Sequence, residues 1–163
     1  MQVHELNQGS QEWLAFRTMH FGASEAAAML GLSKTTTRPE LLHMKATGLT
    51  PEFTAWVQKN VLDHGHHVEG LTLPLIEAHI GDDLFPATCS EGKLSASCDG
   101  LTMTGDYAWE NKQHNAEIVA QMRAGQMPEQ HMPQCQQVLM VTGAKKLIFS
   151  VCDGTPENLL TLD

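Results

Sequence analysis

Three residues in the middle of the chain have types and spacing that could do chemistry together. They are Asp99 in SCDGL, and Glu110 and Lys112 in WENK. On a strand, residues two apart project from the same face, so Glu110 and Lys112 would point together. Asp99 falls at the start of a preceding strand or in the turn before it. Pairing through the TGD turn would bring its carboxylate onto that face. Two carboxylates and the backbone carbonyl of Asn111 make a hard oxygen site suited to Mg²⁺ or Mn²⁺. A lysine beside such an ion can orient or help deprotonate a water, or stabilise charge on a phosphate in flight. That is the layout of metal-dependent phosphodiester hydrolysis. As a short motif it is weak, because Asp-Gly is a common turn and ExK a common solvated strand face. Its company strengthens it: Tyr107-Ala108-Trp109 makes the strand partly apolar, where a Glu/Lys pair is harder to dismiss as surface.

The elements that must position these residues are readable in outline. Ser10 can cap a short helix carrying Trp13, Leu14, Phe16 and Arg17. Ser24 can cap SEAAAML, with Gly31 as its stop. Pro39 suits the first turn of PELLHMKAT, which Gly48 ends. A long helix is expected from about Thr54 to Ile80, interrupted by Gly65 and Pro74. The period then changes. Leu84–Ala87, Lys93–Ala96 and Tyr107–Lys112 read as three strands of an antiparallel meander. Helices from about Ala116 to Arg123 and Glu129 to Val141 follow, then the β-rich KKLIFSVC. Helices, three strands, helices and a strand place the chain in the α+β (or α/β) class.

Composition bounds the function. The 163 residues are 42% hydrophobic and 18% charged, which describes a globular chain. A domain of this size buries roughly 68–70% of its unfolded surface, enough for a core of its own. Ten Lys+Arg against nineteen Asp+Glu give a net charge of −9, which argues against a protein that coats nucleic acid over its whole surface. It leaves room for a nuclease, whose metal ions supply positive charge locally. No apolar run is long enough to span a membrane, and MQVHELNQGSQEW has neither the basic flank nor the apolar stretch of a secretory signal. Cys89, Cys98, Cys135 and Cys152 form no CxxC and read as free thiols of a reducing cytoplasm. His64, His66 and His67 cluster, yet no fourth ligand stands at a zinc spacing, so a surface role is expected. Met122, Met127, Met132 and Met140 read as core or interface filling. Lys145-Lys146 reads as the solvated start of a strand.

Seven sequence blocks carry a resemblance: QGSQEWLAFR, GASEAAAMLG, LLHMKATGL, HGHHVEG, SASCDGL, WENK and QCQQVLMVTG, in order from Gln8 to Gly143. Together they resemble the lambda-exonuclease and YqaJ-type viral recombinase family of the PD-(D/E)xK nuclease superfamily. The resemblance implies a restriction-endonuclease-like core, a central mixed sheet flanked by helices, as one YqaJ-like domain over residues 1–163. It implies Mg²⁺-dependent 5′-to-3′ exonuclease action on linear double-stranded DNA, with Mn²⁺ as a substitute, exposing a single strand for recombination. Asp99 and Glu110 would bind the metal with the Asn111 carbonyl, Lys112 would be the catalytic lysine, and Glu69 the helical acidic residue. Gln136 would position Lys112 or the water, with Gln134 only its neighbour, more a helix-surface residue than a ligand. Arg17, Ser24 and Ser97 match positions that bind the terminal phosphate, and Trp13 an aromatic near the DNA end. An annealing protein, a toroidal trimer and the cytoplasm of a bacterial or phage-infected cell are implied on the same grounds.

The sequence departs from the family at three places. Cys98 stands where many relatives have proline before the aspartate, and Gln113 follows Lys112 in place of the usual continuation. The chain stops soon after KKLIFSVC, where relatives continue, so a short or C-terminally truncated member is expected. Two other readings stand beside the exonuclease: a PD-(D/E)xK endonuclease of another specificity, and an inactive DNA-binding module.

Overall fold

The structure is a computed structural model, and it describes residues 1–48 and 64–163. After the short strand β1 (Gln2–His4), α1 spans Gln11–Met19. It starts where expected, with the Ser10 hydroxyl accepting the Trp13 N–H at 3.1 Å. β2 (Phe21–Gly22) leads into a 3₁₀ turn, Ala23–Glu25, and then α2 (Ala26–Met29). Here the expected serine cap gives way to a carboxylate, because Glu25 Oε2 takes the Gly22 N–H at 2.8 Å. Ser24 therefore lies inside the turn with its hydroxyl outward. α3 (Arg38–Thr47) begins on a reciprocal Thr37–Glu40 capping box with Pro39 in its first turn. It ends on Gly48 at φ 71°. α4 is described over His64–Ile80 and continues through Gly65 and Pro74; residues 54–63 of the expected helix lie outside the described residues.

The meander forms as expected, from β3 (Leu84–Glu91), β4 (Leu94–Thr102) and β5 (Tyr107–Gln113), with both pairings antiparallel. β4 is longer than the sequence suggests and carries Asp99 within it. α5 (Ala116–Arg123) follows, capped by Asn115, then α6 (Met132–Thr142). α6 opens at Met132 and not Glu129, because the Pro128 carbonyl first closes a turn on the His131 and Met132 N–H groups. β6 (Lys146–Cys152) runs parallel to β5, and β7 (Leu160–Leu162) closes antiparallel on β6. Among the described residues the result is a mixed seven-stranded sheet in the order β1-β3-β4-β5-β6-β7, with β2 parallel to β4 off the path.

Each face of the sheet has its own core. Ala108, Leu147, Phe149 and Val151 pack with Ile118 and Val119 of α5 and Val138 and Val141 of α6. Trp109, Ile148 and Leu84 pack with Ile76 of α4 on the other. The neighbours Trp109 and Glu110 thus part to opposite faces, as the strand period demands. Met122 and Met127 fill the first core, whereas Met132 and Met140 are exposed. All four cysteines are free and buried, and Lys145 and Lys146 are exposed beside Asp106 and Asp163.

Gly100, next to Asp99, is a point of close approach. A Cβ there would lie 2.9 Å from Leu84 Cβ and 3.1 Å from Trp109 Cε3. We expect Gly100→Ala to destabilise the protein by about 1–3 kcal/mol, the usual cost of overpacking, read as a fall in denaturation midpoint. An unchanged midpoint would mean that β4 shifts freely.

Candidate active site

β4 and β5 pair at Leu101–Ala108 and Gly100–Trp109, next to the site. One residue further on, the Asp99 carboxylate accepts the Asn111 backbone N–H at 2.7 Å, so a side chain takes a donor from β5. Glu110 is 3% exposed. Its Oε1 accepts from Lys112 Nζ at 2.5 Å and from Gln134 Nε2 at 2.5 Å, which shows Glu110 and Lys112 on one face. Its Oε2 is buried and has no hydrogen-bond partner among the described residues. Glu69 enters from α4. Gly65 of that helix lies against the Gln113 side chain at the end of β5.

Electrostatics tie these groups together. Burial, then the charges of Glu110 and Glu69, push the Asp99 carboxyl well above the usual carboxylate range, against Lys112 and the Asn111 N–H. Burial also raises Glu69, which His66 and Lys112 lower and Glu110 raises. For Lys112, burial pulls downward, but Glu110 and Asp99 outweigh it and the ammonium ends above its ordinary value. Asp99, Glu110 and Glu69 therefore bring more acid to the site than Lys112 balances.

An unsatisfied buried oxygen among mutually repelling carboxylates is what a bound cation would relieve. Among the described residues, no three His, Cys, Asp or Glu side chains are close enough to enclose an ion alone. A backbone carbonyl and water would have to complete the shell, which suits Mg²⁺, an ion that usually keeps several waters. His64, His66 and His67 are all exposed, and His66 Nδ1 lies 3.8 Å from Glu69 Oε2.

The residues expected at the terminal phosphate also meet. Trp13 Nε1 donates to Ser97 Oγ at 3.0 Å, and Arg17 Nη2 to Ser24 Oγ at 3.3 Å. The guanidinium sits 4.7 Å from the Trp13 ring centroid. Ser97 is two residues from Asp99 on β4, so this polar group adjoins the carboxylates.

One expectation needs correcting. The glutamine that reaches Glu110 is Gln134; Gln136 is exposed, its amide 3.7 Å from Met132 Sδ. The helical period explains why. Gln136 shares a stripe with exposed Met132 and Met140, while Gln134 stands four before Val138, which is fully buried. That signal was present in the sequence. We expect Gln134→Ala to slow hydrolysis at least about tenfold, as loss of a group orienting the site, and Gln136→Ala to leave the rate near wild type. The reverse ranking, in initial rates on duplex DNA, would return the role to Gln136.

The sequence reading also passed over His131, at the start of α6. Its ring lies 5.6 Å from that of Phe149. Burial, then Lys112 and Lys34, hold it neutral, its pKa lowered to about 4.

Comparison with known proteins now decides the lineage. The model of the YqaJ-like viral recombinase domain matches residues 12–145. The chain belongs to the YqaJ-like viral recombinase family. Its fold is also that of an alkaline exonuclease, LHK-Exo from Laribacter hongkongensis. The two share 20% identity at a TM-score of 0.71, over 94% of this chain and 83% of that one. LHK-Exo in complex with dAMP gives 20% identity and a TM-score of 0.73, over 94% and 80%. No curated protein is detectably similar in sequence. No helix among the described residues is long and apolar enough to cross a membrane. In fold, this YqaJ-like chain thus stands beside an alkaline exonuclease.

Proposed function

We propose that this YqaJ-like protein is a Mg²⁺-dependent exonuclease that degrades linear double-stranded DNA from its 5′ ends, with Mn²⁺ able to substitute. The observation that carries the reading is the buried Glu110 Oε2, without a hydrogen-bond partner among the described residues, beside the Asp99 carboxyl that burial and then Glu110 push upward. Asp99, Glu110 and the Asn111 carbonyl would hold the ion, with Glu69 assisting directly or through water. When bound, Mg²⁺ supplies a water of lowered pKa and charge to offset that growing on the phosphate.

The chain's own residues do the rest. Lys112, kept charged by its two carboxylates, donates N–H groups that orient the attacking water and stabilise the phosphoryl oxygens. Gln134, on the same Glu110 oxygen, fixes that carboxylate and with it the lysine. Arg17, Ser24 and Ser97 would hold the 5′-terminal phosphate, the guanidinium offering a fork that matches phosphate geometry. Trp13, braced on Ser97 and under Arg17, would meet the terminal base pair. That LHK-Exo forms a complex with dAMP is in keeping with a pocket for a 5′-mononucleotide. The exposed strand would then be available to an annealing protein for recombination, with a trimer as the family's implied assembly.

Duplex DNA labelled at its 5′ or its 3′ end separates the readings. Early release of the 5′ label as mononucleotide, with covalently closed circles left intact, is the expected result. Early release of the 3′ label would reverse the polarity, and nicking of the circle would make the protein an endonuclease.

A further inference from the structure

We propose that Glu25 and Lys45 are positioning residues that aim Arg17 at the 5′-terminal phosphate. The inference rests on the reading of Trp13, Arg17, Ser24 and Ser97 as a phosphate pocket and assigns it two further residues. Glu25 and Lys45 come from separate elements and are each 14% exposed. Glu25 Oε1 accepts from Arg17 Nη2 at 3.1 Å, and its Oε2 from Lys45 Nζ at 2.8 Å and the Gly22 N–H at 2.8 Å.

Lys45 is fully committed. An ammonium has three donors, and Nζ lies 2.6 Å from the Arg17 carbonyl, 2.7 Å from the His20 carbonyl and 2.8 Å from Glu25. It therefore offers a ligand no hydrogen bond. It ties the end of α1 to α3 and holds the carboxylate that holds Arg17. On Arg17, both Nη2 hydrogens are spent, on Ser24 and Glu25. Three of the five guanidinium donors remain, on a side chain 31% exposed. The group is thus clamped along one edge and open along the other. Two cations and one anion leave the trio with a single positive charge beside the pocket.

Position and charge predict opposite signs for one substitution. If only net charge mattered, Glu25→Gln would remove a repelling anion and strengthen the grip on phosphate. If Glu25 aims Arg17, Glu25→Gln weakens it, because the amide has one accepting oxygen: kept on Lys45 and the Gly22 N–H, it turns a donor nitrogen on the guanidinium. The measurement is kcat/KM on duplexes with 5′-phosphate against 5′-hydroxyl ends, for wild type, Arg17→Ala, Glu25→Gln and Lys45→Met. Each variant is expected to lose about tenfold or more of the phosphate preference, the scale of one charge-assisted hydrogen bond. The 5′-hydroxyl rate serves as the internal measure of folded enzyme. A preference lost in Arg17→Ala but kept or enlarged in Glu25→Gln and Lys45→Met overturns the inference alone. So does an equal fall on both ends, which marks a merely structural role. A wild type without any preference overturns the pocket and the inference together.

Discussion

Replacing Lys112 by alanine is expected to lower the rate of duplex hydrolysis by about 10²–10⁴-fold, the range for losing a positioned proton-handling or charge-stabilising group. The ammonium lies 2.5 Å from Glu110 Oε1 and is held above its ordinary pKa by Glu110 and Asp99. It is thus a charged donor at neutral and mildly alkaline pH. Removing it also leaves Glu110 buried on Gln134 alone. Breaking a buried pair from one side costs up to about 3–5 kcal/mol, and less here because Lys112 is 23% exposed. Rates are therefore read well below the variant's melting temperature, with circular dichroism reporting the fold. A rate within threefold of wild type in folded protein would remove Lys112 from the mechanism.

Asp99→Asn is expected to do two things that rarely go together: abolish activity and stabilise the metal-free protein. The loss follows from removing a charged ligand, where several kcal/mol of charge stabilisation means about 10³-fold in rate. The gain follows from linkage. The Asp99 carboxyl titrates higher in the folded chain than in the unfolded one, because of burial and then Glu110 and Glu69. Between the ordinary carboxylate value and the raised one, the native state holds a proton that the unfolded state has released. Stability therefore falls as pH rises through that window. The uncharged amide removes this loss and keeps an oxygen for the Asn111 N–H. At pH 8 without metal, the variant should melt higher than wild type, by about 2–4 °C for each kcal/mol relieved. Mg²⁺ should raise the wild-type melting temperature at pH 8 and far less at pH 5, where protons compete for the site. A variant that melts lower than wild type without metal, or responds equally to Mg²⁺, would contradict this.

Much of this was legible in the sequence because local and global signals agree. The DG…ExK spacing, the strand period and the TGD turn all lead to one face, and Glu110 and Lys112 meet there. Ser10 and Thr37 cap their helices as their types require. Two features were not legible, and a third was legible but misread. β4 runs through Asp99 because β3 pairs along it from Glu91–Leu94 to Leu84–Thr102, a tertiary fact with no local marker. Gln134 was misread because two glutamines with one residue between them look alike until the buried stripe of α6 is counted. The Glu25–Lys45 link joins residues twenty apart on different elements, and nothing in either segment announces it.

The central claim is that Asp99, Glu110 and Lys112 form a metal-dependent site for hydrolysing DNA from its ends. Its most direct test is incubation of wild type and Lys112→Ala with linear 5′-phosphorylated duplex and closed circular DNA, in Mg²⁺ or in EDTA. The account predicts loss of the linear duplex alone, in wild type alone, and in Mg²⁺ alone. Digestion that survives EDTA, or that Lys112→Ala matches, would contradict it.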